Sequence, residues 1–202
     1  MKFYKYLDRK YIESFWEMGV IRVGTLSDFR RTEEFGAEIG DKEEGISTAS
    51  SAPLAASVEY GGRVEFGGGQ SERIEIRSIS ISPDSFIYCV TDINSIECRD
   101  RLGYDAGFEI VNVVEFGNTI ERKLREQHPY ISSLAIGACN YRNCDERWSD
   151  AIDVPPMLNK ASRLSYQREH RLIWCAPTMT VKLSPIIIEV PEARDYCRPI
   201  GY

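Results

Sequence analysis

The sequence predicts an α+β protein, and three observations lead to that prediction. The chain has 202 residues, of which 43% are hydrophobic, and a chain of this length buries one sizeable core without splitting into domains. Two segments, one near the N-terminus and one in the middle, repeat apolar residues at helical spacing. Short strand-like segments fill most of the rest, a mixture typical of α+β folds. We therefore expect a single domain over residues 1–202.

The first thirty residues are predicted to form strand, helix and strand. The segment Phe3–Leu7 is short and aromatic, as many strands are. Asp8 is placed to cap a helix whose apolar residues follow helical spacing, and Gly19 stands where that helix should end. A second short strand is expected at 20–24, followed by one helical turn capped by Ser27.

Glycine and serine dominate residues 46–69, where we expect a mobile β-hairpin inserted in the domain. Strict alternation of polar and apolar residues at 72–80 predicts a half-buried strand. The continuous apolar run 86–90 predicts a strand buried on both faces.

The second half of the chain is predicted to hold one long helix among strands. Asn112 is placed to cap that helix, and His128 with the following proline ends it. Strands are expected at 107–111, 130–141, 171–175 and 186–190.

The charge balance argues against a polyanionic partner. There are 31 acidic and 25 basic residues, and no basic run is longer than Arg30-Arg31, so nucleic acid is not an expected partner. No apolar run approaches the ~20 residues that span a bilayer, and the N-terminus turns polar too early for a secretory signal. We expect a cytoplasmic protein without membrane contact.

A metal site is not expected from the cysteines. All six are scattered in a chain predicted to stay inside the cell, which favours reduced thiols. Only Cys139 and Cys144 are close together, and His128 and His170 do not complete a zinc site around them. Carboxylates of the acidic segment 32–45 would bind a divalent cation, as in metal-dependent nucleases, if three of them converged. A solvated acidic loop is the simpler interpretation.

Charged residues stand at the start of an apolar strand in the segment 160–174. Alternation places Glu169 and Arg171 on one face of this strand and His170 and Leu172 on the other. A carboxylate and a guanidinium fixed side by side can make strong, charge-assisted hydrogen bonds in a cleft. The simpler alternative is a salt bridge between strands at the rim of a sheet.

Several short motifs along the chain resemble one known family. They are Tyr4-Lys5-Tyr6 with Gly19-Val20-Ile21-Arg22, the stretch from Thr25 to Arg30, Tyr88-Cys89-Val90-Thr91, the stretch from Gly103 to Ile110, and finally Lys160, Tyr166, Glu169, Arg171 and Leu172. Together they resemble an uncharacterised bacterial family assigned to the ADP-ribosyltransferase fold. The resemblance covers nearly the whole chain in short pieces.

This resemblance implies two small, mainly antiparallel sheets around an NAD-binding cleft, with a few helices. By analogy Lys5 and Tyr6 stand where the first strand contacts NAD, and Thr91 and Tyr104 supply the middle element of the site. Glu169 is the implied catalytic carboxylate, because breaking the nicotinamide–ribose bond develops positive charge that a carboxylate stabilises. Replacing Glu169 with Gln is expected to spare folding and to slow turnover at least ~100-fold.

Arginines and tyrosines are the candidates for holding the rest of NAD. Arg22, Arg30 and Arg171 could bind the pyrophosphate, because a guanidinium matches phosphate oxygens in pairs. Tyr6 or Tyr104 could stack on the nicotinamide ring.

We expect an enzyme that transfers ADP-ribose from NAD to a macromolecular target, as found among bacterial toxins, phage proteins and defence systems. The alternative is a non-catalytic module on the same fold that senses a nucleotide or binds a protein partner. The position of Glu169 discriminates between them. The enzyme needs it in a cation-lined cavity with Lys5, Tyr6 and Tyr104, whereas a lock against Arg171 on a solvent-facing surface favours the module.

Overall fold

The computed structural model describes residues 1–30, 46–50, 64–67, 75–142, 146–147 and 154–200. Within these ranges four α-helices, α1 to α4, lie at Arg9–Met18, Leu26–Phe29, Ile96–Arg101 and Val113–Gln127. Fourteen described strands, β1 to β14, lie at Phe3–Leu7, Val20–Thr25, Ile46–Ser50, Val64–Gly67, Glu75–Ile81, Ser85–Thr91, Ala106–Ile110, Ala135–Ala138, Asn140–Arg142, Glu146–Arg147, Asn159–Ala161, Glu169–Cys175, Ile186–Glu189 and Cys197–Pro199. Short 3₁₀ turns lie at Pro156–Leu158, Ser162–Gln167 and Pro191–Tyr196.

The main sheet has eight strands. Six follow the order β13-β2-β6-β1-β7-β14, while β12 pairs with β6 and β8 pairs with β12. All of these pairs are antiparallel. The prediction of an α+β fold with a mainly antiparallel sheet and a few helices is confirmed. None of the described helices is long and apolar enough to cross a bilayer.

The main sheet splits at β6. One edge of β6 is occupied along its whole length by β12. The other edge is shared, because β1 pairs with it at Thr91 and β2 pairs with it at Phe86 and Ile87. The strands β1 and β2 therefore diverge from a common edge. In the described residues the strands on both sides of this split belong to one sheet, because both hydrogen-bond to β6. The arrangement of two small sheets around a cleft stays a prediction.

The apolar core lies between one face of the sheet and the helices α1 and α4. Phe15 of α1 stacks on Phe108 of β7, with ring centroids 4.4 Å apart. Phe116 of α4 is fully buried in the same core, together with Leu172 and Trp174 of β12. Because side chains alternate along a strand, the even-numbered residues of β12 fill the core and the odd-numbered ones face the opposite side.

Two helix ends follow their local sequence as predicted. The helix α1 ends at Gly19, whose φ of 74° is left-handed and favours glycine. A Cβ at this position would lie 2.5 Å from the backbone nitrogen of Pro191, so glycine is also required for packing. The helix α4 is capped by Asn112, whose Oδ1 accepts a hydrogen bond from the Glu115 amide at 3.3 Å.

Two local predictions were wrong or incomplete. The turn α2 is capped by Thr25, whose Oγ1 accepts from the Asp28 amide at 3.1 Å. Ser27, the predicted cap, instead donates its hydroxyl to Asp84 at 2.9 Å. The helix α3, capped by Ser95, was not expected, because its six residues are too few to show a helical period.

Two smaller sheets complete the described structure. One has the order β10-β3-β5-β4, and the other is the parallel pair of β9 and β11. The strands β3 and β4 pair with opposite edges of β5, so the hairpin expected within 46–69 is not formed between them. Both β3 and β4 pair with the longer strand β5 instead. Residues 51–63 and 68–69 lie outside the described residues, and the mobility of the segment stays a prediction.

Candidate functional site

A cavity of about 100 Å³ lies at the split of the main sheet. A cavity of roughly 150 Å³ holds a benzene ring, so this one takes a group smaller than a whole ring or sugar. Six of the residues predicted for the site line it, namely Lys5, Tyr6, Thr91, Tyr104, Glu169 and Arg171. The structure thus brings together residues from β1, β6, β12 and the segment after α3.

Glu169 is the first residue of β12, and two cations hold its carboxylate. Arg171 Nε donates to Oε1 at 2.7 Å, and the Lys160 ammonium pairs with Oε2. The Cys139 thiol lies 3.5 Å from Oε1 as a further donor. Since the side chains of Lys160 and Arg171 are 4% and 1% exposed, the cluster is shielded from bulk water. The predicted common face is confirmed, but the pair is buried and within one strand, not between strands at a rim.

These cations fix the charge state of Glu169. Burial alone would raise its pKa, but the charges and hydrogen bonds of Lys160 and Arg171 outweigh burial and hold the pKa well below its usual range. Glu169 is therefore ionised throughout the neutral range. It can accept hydrogen bonds and stabilise positive charge, but it cannot donate a proton to a leaving group.

The Glu169 backbone is held as firmly as its side chain. Its amide donates to the Tyr141 hydroxyl at 2.6 Å, and its carbonyl accepts from the Cys139 amide at 2.8 Å. The preceding residue, Arg168, has a left-handed backbone with a φ of 44°. The carboxylate thus projects from a fixed point at the start of the strand.

Lys5 lies where the sheet divides. Its Nζ donates to the Cys89 carbonyl on β6 at 2.8 Å and lies 4.6 Å from the centre of the Tyr88 ring. Burial lowers the pKa of Lys5, although the nearby Glu169 carboxylate acts in the opposite direction. Lys5 therefore links β1 to β6 at the split and leaves further N–H groups for a ligand.

Tyr6 and Thr91 shape one wall of the cavity. The Tyr6 hydroxyl donates to the Ile93 carbonyl at 2.8 Å and accepts from the Ser95 amide at 2.7 Å. Thr91 Oγ1 accepts from the Ile93 amide at 3.2 Å. Both hydroxyls thus fix the segment between β6 and α3 that carries this wall.

Two aromatic side chains add to the lining. Tyr104 is half-buried, and burial raises its pKa, so the phenol stays protonated and can donate. The Phe29 ring lies against Gly24 of β2, where a Cβ would come within 3.0 Å of it. Glycine at this position lets the ring approach the strand and form part of the cavity.

Arg22 and Arg30 are not brought to the lining of the cavity. Arg22 donates to the buried carboxylate of Asp28 at 2.6 Å, which directs it across β2 to α2. Arg30 follows the last turn of α2 and is half-buried. The predicted contact of these two arginines with a ligand stays a prediction, and in the structure Arg22 holds α2.

Sequence reasoning missed several residues of the site. Lys160, Gln167, Phe29 and Leu102 line the cavity without having been assigned a role. Lys160 could have been predicted as a site residue, since it stands in the same sequence motif as Glu169. Gln167 is buried and lies two positions before Glu169. This spacing does not predict a place in the cavity unless the 3₁₀ turn that carries Gln167 is already known.

The sequence also raised metal ligands and thiols as candidates. In the ranges that the structure describes, no three His, Cys, Asp or Glu side chains are grouped to hold a metal. The acidic segment 32–45 and Cys144 lie outside those ranges. The other five cysteines are free thiols. Burial raises the pKa of Cys89, which lines the cavity, to about 12, so it is not a thiolate at neutral pH.

Comparison with known proteins adds no relative: no family model, no curated protein and no solved structure matches the chain. The site is therefore defined by its own geometry, a buried carboxylate between two cations beside a cavity of about 100 Å³.

Proposed function

We propose that the chain binds NAD at this cavity and transfers ADP-ribose to a macromolecular target, as an ADP-ribosyltransferase-like enzyme. The observation that carries the proposal is the Glu169 carboxylate, which two cations keep ionised at the edge of a cavity of about 100 Å³. The resemblance of the sequence to a family of that fold points the same way. A role as a bacterial or phage toxin or defence factor follows from the same resemblance.

Glu169 has the capacity that such a transfer requires. The ribose–nicotinamide bond breaks with its electron pair on the nicotinamide nitrogen, and the ribose carries positive charge until the acceptor adds and loses its proton. Each carboxylate oxygen has two lone pairs, and among the described residues Oε2 of Glu169 receives Lys160 as its donor. Oε2 can therefore accept a ribose hydroxyl while its charge stabilises the ribose cation.

The rest of the lining suits one end of a dinucleotide. Three cations and one carboxylate line the cavity, a balance that favours a ligand carrying phosphates. Tyr104 supplies a ring and a phenolic donor, and Lys5 supplies N–H groups beyond the one that binds Cys89. Because about 100 Å³ is less than the roughly 150 Å³ that holds a benzene ring, the nicotinamide end enters the cavity only in part and the remainder of NAD extends from its mouth.

A non-catalytic nucleotide-sensing or protein-binding module is the second candidate. The observation that favours it is the pairing of Glu169 with both Lys160 and Arg171, which are themselves buried. Such a cluster can also serve to fix the two strands that carry it, without any chemistry.

The test is titration with NAD by calorimetry, followed by measurement of nicotinamide release. Tyr104→Ala removes a cavity side chain and should weaken binding about tenfold, the scale of one lost ring contact. Its control is Tyr130→Ala, because Tyr130 is 81% exposed and is not a cavity residue. Glu169→Asp keeps the charge but withdraws it by one methylene, so binding should persist and release should fall roughly 100-fold.

The outcomes separate the candidates. Binding and release that both respond as described support the transferase. Binding that weakens only in Tyr104→Ala, with no release by the native chain under any acceptor offered, assigns the module. Absence of NAD binding, or equal loss in the Tyr104 and Tyr130 variants, contradicts the assignment of NAD to this cavity.

A further inference from the structure

The backbone before Glu169 is strained. Arg168 is the one non-glycine residue in the described ranges with a positive φ, at φ 44° and ψ 45°. It joins the 3₁₀ turn Ser162–Gln167 to β12, so Glu169 follows it directly. A residue with a Cβ is disfavoured in this left-handed region and persists there only when its surroundings hold it.

Tyr141 supplies the closest contact that holds this conformation. Its hydroxyl accepts the hydrogen bond from the Glu169 amide at 2.6 Å. Tyr141 also lies opposite Lys160 in the parallel pair of β9 and β11, and Lys160 binds the other end of Glu169. The paired strands β9 and β11 thus contact the amide and the carboxylate of the same residue. Burial raises the pKa of Tyr141 above its usual value, so the hydroxyl stays neutral.

The second contact on Arg168 is weaker. Its guanidinium pairs with Asp92 at 2.7 Å, but the Arg168 side chain is 57% exposed. Exposed pairs contribute little to holding a conformation. Beside the bond from the Arg168 amide to the Ser165 carbonyl at 3.2 Å, the hydrogen bond that the Tyr141 hydroxyl accepts from the Glu169 amide is therefore the contact that holds the strained residue.

We propose that Tyr141 is a positioning residue, whose hydroxyl holds the Glu169 amide and the strained Arg168 so that the Glu169 carboxylate faces the cavity. The geometric part of this inference stands on the described contacts alone. The expected effect on turnover rests on the proposed function.

The test begins with Tyr141→Phe, which removes the hydroxyl and keeps the ring. The Glu169 amide then loses its partner, and its hydrogen exchange, followed by nuclear magnetic resonance, should accelerate about tenfold, the scale of one net hydrogen bond. If the protein is a transferase, kcat should fall roughly tenfold because the carboxylate is displaced. KM should stay unchanged, since the other lining residues remain.

The decisive step is a rescue of Tyr141→Phe by a second change at Arg168. Arg168→Gly removes the strain, because glycine occupies the left-handed region without a steric penalty. It should restore kcat in the Tyr141→Phe background, while the Glu169 amide, which still has no acceptor, keeps exchanging fast. Arg168→Ala is the matched control, since it also removes the ion pair with Asp92 but keeps a Cβ, and it should not restore kcat.

Each outcome decides the inference. Rescue by Arg168→Gly and not by Arg168→Ala supports it. Unchanged exchange of the Glu169 amide in Tyr141→Phe, or equal rescue by both changes at Arg168, overturns it. If the native chain releases no nicotinamide, the transferase proposal fails while the exchange measurements still decide the role of Tyr141.

Discussion

Replacing Glu169 with Gln should destabilise the fold strongly, contrary to the expectation from the sequence that folding is spared. The carboxylate is the counter-charge of Lys160 and Arg171, whose side chains are 4% and 1% exposed. A neutral amide leaves both cations buried without compensation. The variant therefore tests whether the cluster is the buried unit that the structure describes.

The magnitude follows from the burial of the cluster. Removing one partner of a buried ion pair costs about 3–5 kcal/mol, out of a total stability of about 5–15 kcal/mol for a typical domain. In a chain of this size, 1 kcal/mol shifts Tm by about 2–4 °C. Glu169→Gln should therefore lower Tm by about 6–20 °C.

Urea unfolding followed by circular dichroism measures this loss. The midpoint should fall while the slope with denaturant stays the same, since the same surface is exposed on unfolding. Glu126→Gln is the control, because Glu126 is 61% exposed and pairs with Lys123 on the surface of α4. Its midpoint should stay close to that of the native chain. If Glu169→Gln unfolds at the native urea concentration, the argument from buried charge is refuted.

Three further predictions concern pH, backbone and ligand. The folded-state pKa of Glu169 lies below its ordinary value of 4.5, so the ionised carboxylate contributes its full stabilisation of the fold above that pH. At lower pH, the difference in unfolding free energy between the native chain and Glu169→Gln, measured by urea unfolding, should therefore become smaller. A difference that does not change with pH contradicts this. Gly19→Ala should lower Tm more than Gly103→Ala, because both have left-handed φ but only Gly19 faces backbone, that of Pro191 at 2.5 Å; equal losses would show that this contact relaxes. Replacing Lys5 with Met should raise the Kd for NAD about tenfold, with kcat little changed, since its N–H groups contact ground and transition states alike; calorimetry that finds the native Kd rules this out.

Structural features that depend only on residues close in the sequence could be predicted from the sequence. The end of α1 at Gly19 and the start of α4 at Asn112 each depend on a residue inside or beside the helix. The common face of Glu169 and Arg171 follows from the alternation of a strand. These features require no knowledge of which strands pair.

The parts of the site that were missed depend on contacts between distant segments. Tyr141 reaches the amide of Glu169 because β9 pairs with β11 and the residue after β8 pairs with the start of β12. Arg22 was assigned to a ligand because its partner, Asp28, becomes buried only when α2 folds back on β2. Neither register nor burial is encoded in the local pattern of these residues.

The buried cluster of Lys160, Glu169 and Arg171 also constrains how this protein can evolve. Exchanging all three for apolar residues of similar volume is often neutral for stability, whereas each single exchange leaves a buried charge uncompensated. A lineage that no longer uses the cavity must therefore pass through destabilised single variants before it can lose all three charged residues. Descendants can keep all three residues long after their function is lost, so persistence of the glutamate in a homologue is no proof of catalysis there.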